Sequence, residues 1–222
     1  MTITLRDYFD HVRNVLVSAE VSDLNGKELD YASAVASCIT IARSAHDRGN
    51  KLIFVGNGGS AAIASHMAMD YSTNGNLRSL ALNDGAMLTC ISNDFGYENV
   101  FAKQVEMHAY ADDVLFAISS SGCSENILNA SATARRCGCQ IITLSGFRAD
   151  NPLRKQGDIN FYLSSDQYGF VEIGHLTICH AILDFACGIN IPSSSEASAV
   201  LTSVAPICFT PPLTATQSGH GN

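Results

Sequence analysis

The sequence predicts an α/β protein of three layers, in which a parallel sheet of about five strands is covered by helices on both faces. Short, almost continuously apolar runs recur along the chain, and segments of helical length separate them. Strands that are apolar on both faces are typical of a parallel sheet buried from both sides. The chain has 222 residues, 46% of them hydrophobic, so it can bury a large core and is too apolar to be disordered.

The N-terminal part is predicted to form two helices, over residues 4–20 and 27–48. Thr4 and Asp7 have the spacing of a capping box at the start of the first helix. In the second segment, apolar residues recur in steps of three and four, which puts them on one helical face. These residues are Leu29, Ala32, Ala36, Ile39 and Ala42. Because one sheet cannot bury the apolar faces of both helices, we expect them to pack against other copies of the chain.

The remaining elements alternate between strand and helix, which predicts a single domain over residues 1–191. Four apolar runs and one shorter run are expected to be strands, at 51–55, 113–118, 140–144, 158–163 and 80–82. Helices are expected near 60–72, 98–109 and 124–137, and finally from about Phe170 to Ala186, with Gly188 as the stop. Residues 192–222 contain four of the five prolines and few charged side chains, so we expect a flexible tail there.

Composition argues against several classes of function. The net charge is −8, from 21 acidic and 13 basic residues, which disfavours broad binding to nucleic acids or to anionic membranes. We find no apolar run with the length of a membrane span, and no signal peptide is recognisable at the N-terminus. Most of the eight cysteines lie inside apolar segments, as buried reduced thiols do. We therefore expect a cytoplasmic protein with neither a nucleic-acid nor a membrane partner.

A glycine-rich turn, Gly56-Asn57-Gly58-Gly59-Ser60, directly follows the first long strand and opens a helix. Open α/β sheets bind ligands at the carboxyl ends of their strands. Glycine permits close approach of the backbone, and a helix N-terminus offers free N–H groups to an anion. The spacing matches neither the dinucleotide fingerprint nor a Walker loop. By itself, the turn is explained equally well as a tight connection between strand and helix.

A second loop follows the same pattern. Ser119-Ser120-Ser121-Gly122-Cys123-Ser124 comes after another strand and leads into another helix. Hydroxyl groups around a helix N-terminus can hold a phosphate without a basic residue, although such serines also serve as helix caps and turn residues. Because both loops follow parallel strands, together they predict a binding site for a small anionic ligand.

These motifs resemble a known family. GNGGS at 56–60, Asn93-Asp94-Phe95-Gly96 and SSSGCS at 119–124 resemble the sugar isomerase (SIS) domain, and within it the phosphoheptose isomerases, which convert sedoheptulose 7-phosphate to heptose 7-phosphate. The likeness runs to about residue 188 and implies a flavodoxin-like sandwich, a phosphorylated sugar as substrate and a homotetramer with active sites between subunits. The substrate contacts that it implies are Asn57, Gly58, Gly59, Asn93, Asp94, Ser119, Ser120, Ser121, Ser124 and Glu172.

The resemblance also implies a divalent metal, zinc in many members, with His66, Asp70, Glu172 and His180 as its ligands. His66 and Asp70 are one helical turn apart and share a face. Glu172 and His180 are eight residues apart, about 80° around an ideal helix, so Glu172 must converge from the helix start. Two imidazoles and two carboxylates suit Zn²⁺, or Mn²⁺ or Fe²⁺ in a looser geometry. His175 is expected behind these ligands or beside the phosphate.

The chain departs from the family pattern at four places. The family's metal-site Glu is Asp70 and its Gln is Glu172, while Gly169 replaces an Asp and Asn74-Gly75 replaces a Gly-Arg-aromatic segment. An isomerase of this kind needs a base for the carbon-bound proton, and either Asp70 or Glu172 could serve, with His180 exchanging the proton on the other oxygen.

Two alternatives to an isomerase remain open at this point. One family branch contains non-catalytic tetrameric SIS proteins that bind a replication initiator, and it lacks the helix carboxylate and the last-helix histidine. This chain keeps His66 and His180, with carboxylates beside them, which favours the enzyme. A sugar-phosphate-sensing regulator would require a DNA-binding segment, and residues 1–50 contain no basic cluster.

Overall fold

The structure, a computed structural model, describes residues 3–189. The predicted tail, 192–222, lies outside the described residues. The helices and strands, in chain order, are α1 (Leu5–Val17), β1 (Glu20–Asp23), α2 (Tyr31–Asp47), β2 (Leu52–Gly56), α3 (Gly59–Thr73), β3 (Ser79–Ala81), α4 (Gly85–Phe95), α5 (Ala102–His108), β4 (Val114–Ser119), α6 (Glu125–Arg136), β5 (Gln140–Ser145), β6 (Ile159–Tyr162) and α7 (Tyr168–Ala186). Two short 3-10 helices, Tyr97–Asn99 and Pro152–Lys155, lie in the connections.

The six strands form one sheet in the order β1-β6-β5-β4-β2-β3. The five predicted strands, β2 to β6, are parallel to one another, which confirms the predicted sheet. β1 is an additional edge strand that pairs with β6 in the antiparallel sense. β1 was not predicted: Glu20 falls at the end of the predicted helix over residues 4–20, and a strand of four residues is too short to show a pattern. The buried Asn160 amide donates to the carbonyls of Ser22 and Asp23 and so helps to hold β1.

The side chains of the parallel strands alternate between two apolar clusters, one on each face of the sheet. Phe54 and Phe116 stack at 4.6 Å in the cluster that α2, α3 and α7 cover. Ile53 and Leu115 point the other way, into the cluster formed with α5 and α6. The predicted three-layer arrangement is therefore confirmed. α4 was not predicted, because Ile91 is its one buried residue and its sequence shows no apolar stripe.

The two N-terminal helices differ in how they are buried. The apolar face of α2 lies within the chain's own core, where Val35, Cys38 and Ile39 are almost completely buried. In α1, by contrast, Val15 is buried while Leu5 and Phe9 keep 69% and 60% of their surface exposed. The expectation that both helices need other copies of the chain thus does not hold for α2. The capping box of Thr4 and Asp7 at the start of α1 is confirmed.

α7 is the central helix of the molecule. It is the one described helix that is long and apolar enough to span a membrane, and it has neighbours in α1, α2 and α3. The Tyr71 hydroxyl of α3 donates to the Cys179 carbonyl of α7 at 2.9 Å, inside the core. The helix ends as predicted, since Gly188 has a φ of +74° just beyond it. Because α7 packs against these helices, its length and hydropathy are explained by its place in the core.

Asp113 joins the amino ends of β2 and β4. Its carboxylate is completely buried and accepts hydrogen bonds from the Lys51 amide at 2.9 Å, the Lys51 ammonium at 2.6 Å and the Tyr110 amide at 2.8 Å. Burial by itself would raise the pKa of Asp113, but these hydrogen bonds outweigh it and hold the pKa below the ordinary value of 3.8. The charged form therefore stabilises the fold.

We predict that Asp113→Asn lowers the free energy of unfolding at pH 7 by about 3 kcal/mol, because Lys51 loses its buried partner. Since the folded-state pKa is depressed, this contribution is complete above pH 3.8 and is lost as the pH falls through the folded-state pKa. Urea unfolding at fixed chain concentration, at pH 7, 5 and 3, measures it. Asp112→Asn is the exposed control. An equal difference between parent and Asp113→Asn at pH 7 and pH 3 would contradict the assignment.

Candidate active site

Two loops meet at the carboxyl edge of the sheet. β2 and β4 are neighbours, and they end at Gly56 and Ser119, so the turn Gly56–Ser60 (the glycine turn) lies beside Ser119–Ser124 (the serine loop). Between them is a cavity of about 250 Å³, called here the loop cavity. Its walls are Asn57, Gly58, Gly59, Ser60, Ser119, Ser120, Ser121, Ser124, Tyr168 and Glu172.

Glycine is required in the turn for steric reasons. Gly58 has a φ of +53°, and a Cβ at Gly56 would lie 2.5 Å from the Ser60 carbonyl oxygen. A Cβ at Gly59 would overlap the carboxylate of Glu172, which lies directly over it. The turn therefore allows α3 to begin at the cavity, and the Glu172 carboxylate packs against Gly59 at the cavity wall.

Two of the helices that start at the loop cavity, α3 and α6, lack a side-chain cap within the described chain. α3 has none at Gly58, and the hydroxyl of Ser124, the N-cap residue of α6, is not a cap but lies 3.4 Å from that of Ser119. The explanation of these serines as helix caps is therefore not supported at Ser124. Two helix N-termini with free N–H groups facing one cavity form an anion site.

The serine loop is itself well defined. The Ser119 and Ser121 hydroxyls accept hydrogen bonds from the Gly122 and Cys123 amides, each at 3.2 Å. The Ser120 hydroxyl is buried and has no hydrogen-bond partner among residues 3–189, although Ser120 lines the cavity. A buried polar group without a partner is costly, so this hydroxyl is suited to bind a ligand atom.

His66 and Asp70 of α3 meet His180 of α7 to form a triad. The two histidine Nε2 atoms are 3.3 Å apart, and the Asp70 carboxylate is 3.4 Å from His66 Nε2 and 3.9 Å from His180 Nδ1. One potential ligand atom from each residue lies within 4.8 Å of the others. Two nitrogens bound to one tetrahedral zinc ion are about 3.3 Å apart, so the donor set fits a divalent metal.

Glu172 lies outside this triad. It lines the loop cavity, whereas the other three predicted ligands form the triad. The reason is geometric: α7 already begins at Tyr168, so Glu172 lies in regular helix and is about 12 Å along the axis from His180. The helix start does not bend to bring all four predicted ligands together in one chain.

His175 is completely buried, one turn along α7 from Glu172. Its Nε2 is 3.1 Å from the carbonyl oxygen of Ser145, at the end of β5. Burial lowers the pKa of His175 to about 4, so the ring is neutral at pH 7. His175 thus contacts the carboxyl end of β5 inside the protein and does not line the loop cavity.

Asn93 and Asp94 do not line the loop cavity. Both are exposed on α4, and the Asn93 amide donates to the Asp94 carboxylate at 2.8 Å. Conversely, sequence analysis did not single out Tyr168 or Ser60 as cavity residues. A signal was present for both, because Ser60 ends the glycine turn and Tyr168 precedes Glu172 by one helical turn.

The SIS domain family model matches residues 7–146 of this chain. A phosphoheptose isomerase of Citrifermentans bemidjiense is 35% identical over 161 residues, which cover 70% of this chain and 83% of that protein. Phosphoheptose isomerase structures from Neisseria gonorrhoeae and Francisella tularensis have TM-scores of 0.68 and 0.70, at 26% and 28% identity. Each covers 81% of this chain, with 96% and 94% of the solved chains matched. The glycine turn, the serine loop and the triad thus belong to a member of the phosphoheptose isomerase family of SIS-domain proteins.

Proposed function

We propose that this protein is an aldose–ketose isomerase that converts sedoheptulose 7-phosphate to heptose 7-phosphate. The observation that carries the proposal is that a carboxylate, Glu172, shares one cavity with two uncapped helix N-termini and the serine loop. Such a cavity can hold a phosphate at one end and move a proton at the other. Relatives of this chain bear the name phosphoheptose isomerase.

The phosphate group is bound by the serine loop. Ser119, Ser120, Ser121 and Ser124 offer hydroxyls, and the first turn of α6 offers N–H groups. No cation is needed, since charge-assisted hydrogen bonds to a phosphate are strong when the donors are fixed beforehand. Asn57, Gly58 and Gly59 then contact the sugar portion.

Glu172 is the base that transfers the carbon-bound proton. It removes a proton from C1 of the ketose and returns it to C2, while the C1 hydroxyl gives up its proton and the C2 oxygen gains one. His180 is less suited to exchange the proton between the two oxygens, because it would hold the metal and lies about 12 Å along α7 from Glu172. Asp70 is also less suited to be the base, because it lies against both His66 and His180, and a carboxylate bound to a cation is a poor proton acceptor.

His66, Asp70 and His180 would hold the divalent metal, with zinc as the favoured ion. Bound there, it would supply positive charge that polarises a substrate oxygen. The two imidazoles are partly exposed, which leaves room for a further ligand. The non-catalytic alternative is not favoured, because this chain retains the complete triad.

We also propose that the protein is a cytoplasmic homotetramer. The exposed apolar side chains of α1, among them Leu5 and Phe9, suit burial against a second copy. Asn93 and Asp94 would contact substrate from a neighbouring subunit. The seven cysteines within the described residues are free thiols, as is usual in a reducing compartment.

Glu172→Gln should retain metal and lose about 10²-fold or more in turnover, because an amide cannot act as the base. Elemental analysis should find about one metal per chain in the parent and in Glu172→Gln, and little in His66→Ala. The assay is NMR detection of the aldose product from sedoheptulose 7-phosphate, with Glu106→Gln as a control on α5. An active Glu172→Gln together with an inactive Asp70→Asn would transfer the base role to Asp70, and a metal-free parent would contradict the metal site.

Gly59→Ala should preserve the fold and reduce turnover about 10²-fold, since the new methyl group displaces the Glu172 carboxylate. That carboxylate is the end of a flexible side chain, so the melting temperature should change little. Gly85→Ala is the matched control, because its Cβ would lie in open space. Equal turnover by both variants would show that the position of Glu172 does not matter.

The pair Leu5→Glu and Phe9→Glu should reduce the mass measured by light scattering, because two charges cannot be buried in an apolar interface. Circular dichroism should show unchanged helix content. Asn14→Glu, also on α1, adds a charge without removing an apolar side chain and should leave the mass unchanged. An unaltered mass for the double variant would rule out α1 as an assembly surface.

A further inference from the structure

The side chain of Asn57 is held from two directions. Its amide forms a reciprocal pair with that of Asn126, in which each Nδ2 donates to the other's Oδ1 at 2.9 Å. The Tyr97 hydroxyl donates to the same Asn57 Oδ1 at 3.0 Å. Three elements distant in sequence thus converge on one side chain: the glycine turn, the 3-10 helix after α4, and the first turn of α6.

Counting donors and acceptors shows what remains free. The Asn57 oxygen accepts two hydrogen bonds, which occupies both of its lone pairs. Its nitrogen gives one proton to Asn126 and keeps the second for another partner. Asn57 lies between the loop cavity and a neighbouring cavity of about 310 Å³, whose walls include Tyr97 and Asn126. The second proton is therefore available to an oxygen of a bound ligand.

The surroundings make this arrangement rigid. Asn126 is 2% exposed, so loss of the pair would deprive a buried amide of its hydrogen-bond partner. Asn126 is also two residues after Ser124 of the serine loop. The start of α6 therefore connects the glycine turn with the serine loop, and motion of one is restrained by the other.

We propose that Asn126 and Tyr97 are positioning residues that fix the Asn57 amide as a hydrogen-bond donor to an oxygen of the sugar phosphate. The proposal rests on the proposed function in so far as Asn57 contacts that substrate. Neither residue was among the sequence-predicted contacts. Both residues act through Asn57, so their effect on substrate binding should disappear when Asn57 is replaced, whereas a contribution to folding would remain.

A double-mutant cycle on the dissociation constant for sedoheptulose 7-phosphate tests this, measured by calorimetry on the full chain with its metal. Asn126→Ala alone and Asn57→Ala alone should each weaken binding about tenfold. The double variant should bind no more weakly than Asn57→Ala, because Asn126 then has nothing left to position. Tyr97→Phe, an exposed and conservative change, should give a smaller loss in the parent and none in Asn57→Ala.

Asn129→Ala is the matched control, since Asn129 lies on the same helix and binds the Glu98 carbonyl without touching Asn57. It should bind like the parent. Additive losses, or an equal loss in Asn129→Ala, would overturn the proposal, and if Asn126→Ala does not fold, the Tyr97→Phe arm decides alone.

Failure of the proposed function gives a different result. A parent that neither binds nor isomerises sedoheptulose 7-phosphate would refute that function. The positioning role would then be tested by the crystal structure of Asn126→Ala. The Asn57 side chain should adopt a different position from that in the parent, and an unchanged position would overturn the proposal.

Discussion

The pairing of β2 with β4 is the constraint on which the candidate site depends. In this parallel pair Gly56 is opposite Ile118, so the two strands end within one residue of each other. Their following loops therefore emerge side by side, and each leads into a helix whose N-terminus faces the same cavity. A shift of the register by two residues would separate the glycine turn from the serine loop by about 7 Å and abolish the anion site.

Much of this arrangement could be predicted from sequence, because its signals are local. The apolar runs identify β2, β4, β5 and β6, and glycine and serine right after a strand indicate a loop that binds an anion. β1 and α4 were missed for a shared reason: neither has enough buried residues to create a periodic pattern. Their positions are determined by tertiary contacts, such as that of the Asn160 amide with the carbonyls of β1.

The candidate site shows where residue types suffice and where geometry is needed. His66 and Asp70 could be paired from spacing alone, since they are one turn apart on α3, and the packing of α3 on α7 adds His180. The separation of Glu172 from His180 could not be judged without knowing where α7 begins. Because α7 starts at Tyr168, Glu172 already lies in regular helix. The helix therefore places the Glu172 carboxylate about 12 Å along its axis from His180, the potential metal ligand.

The short edge strands have a consequence for how copies of this chain can associate. β3, at one edge of the sheet, has three residues, and β1, at the other, has four and begins and ends with acidic side chains. Neither edge offers a long row of free backbone groups with which another polypeptide could pair. Growth of the sheet from molecule to molecule is thereby discouraged, and contacts between copies are directed to the helical layers. The antiparallel strand β1, which was not predicted from sequence, thus protects one edge of the sheet from pairing with another molecule.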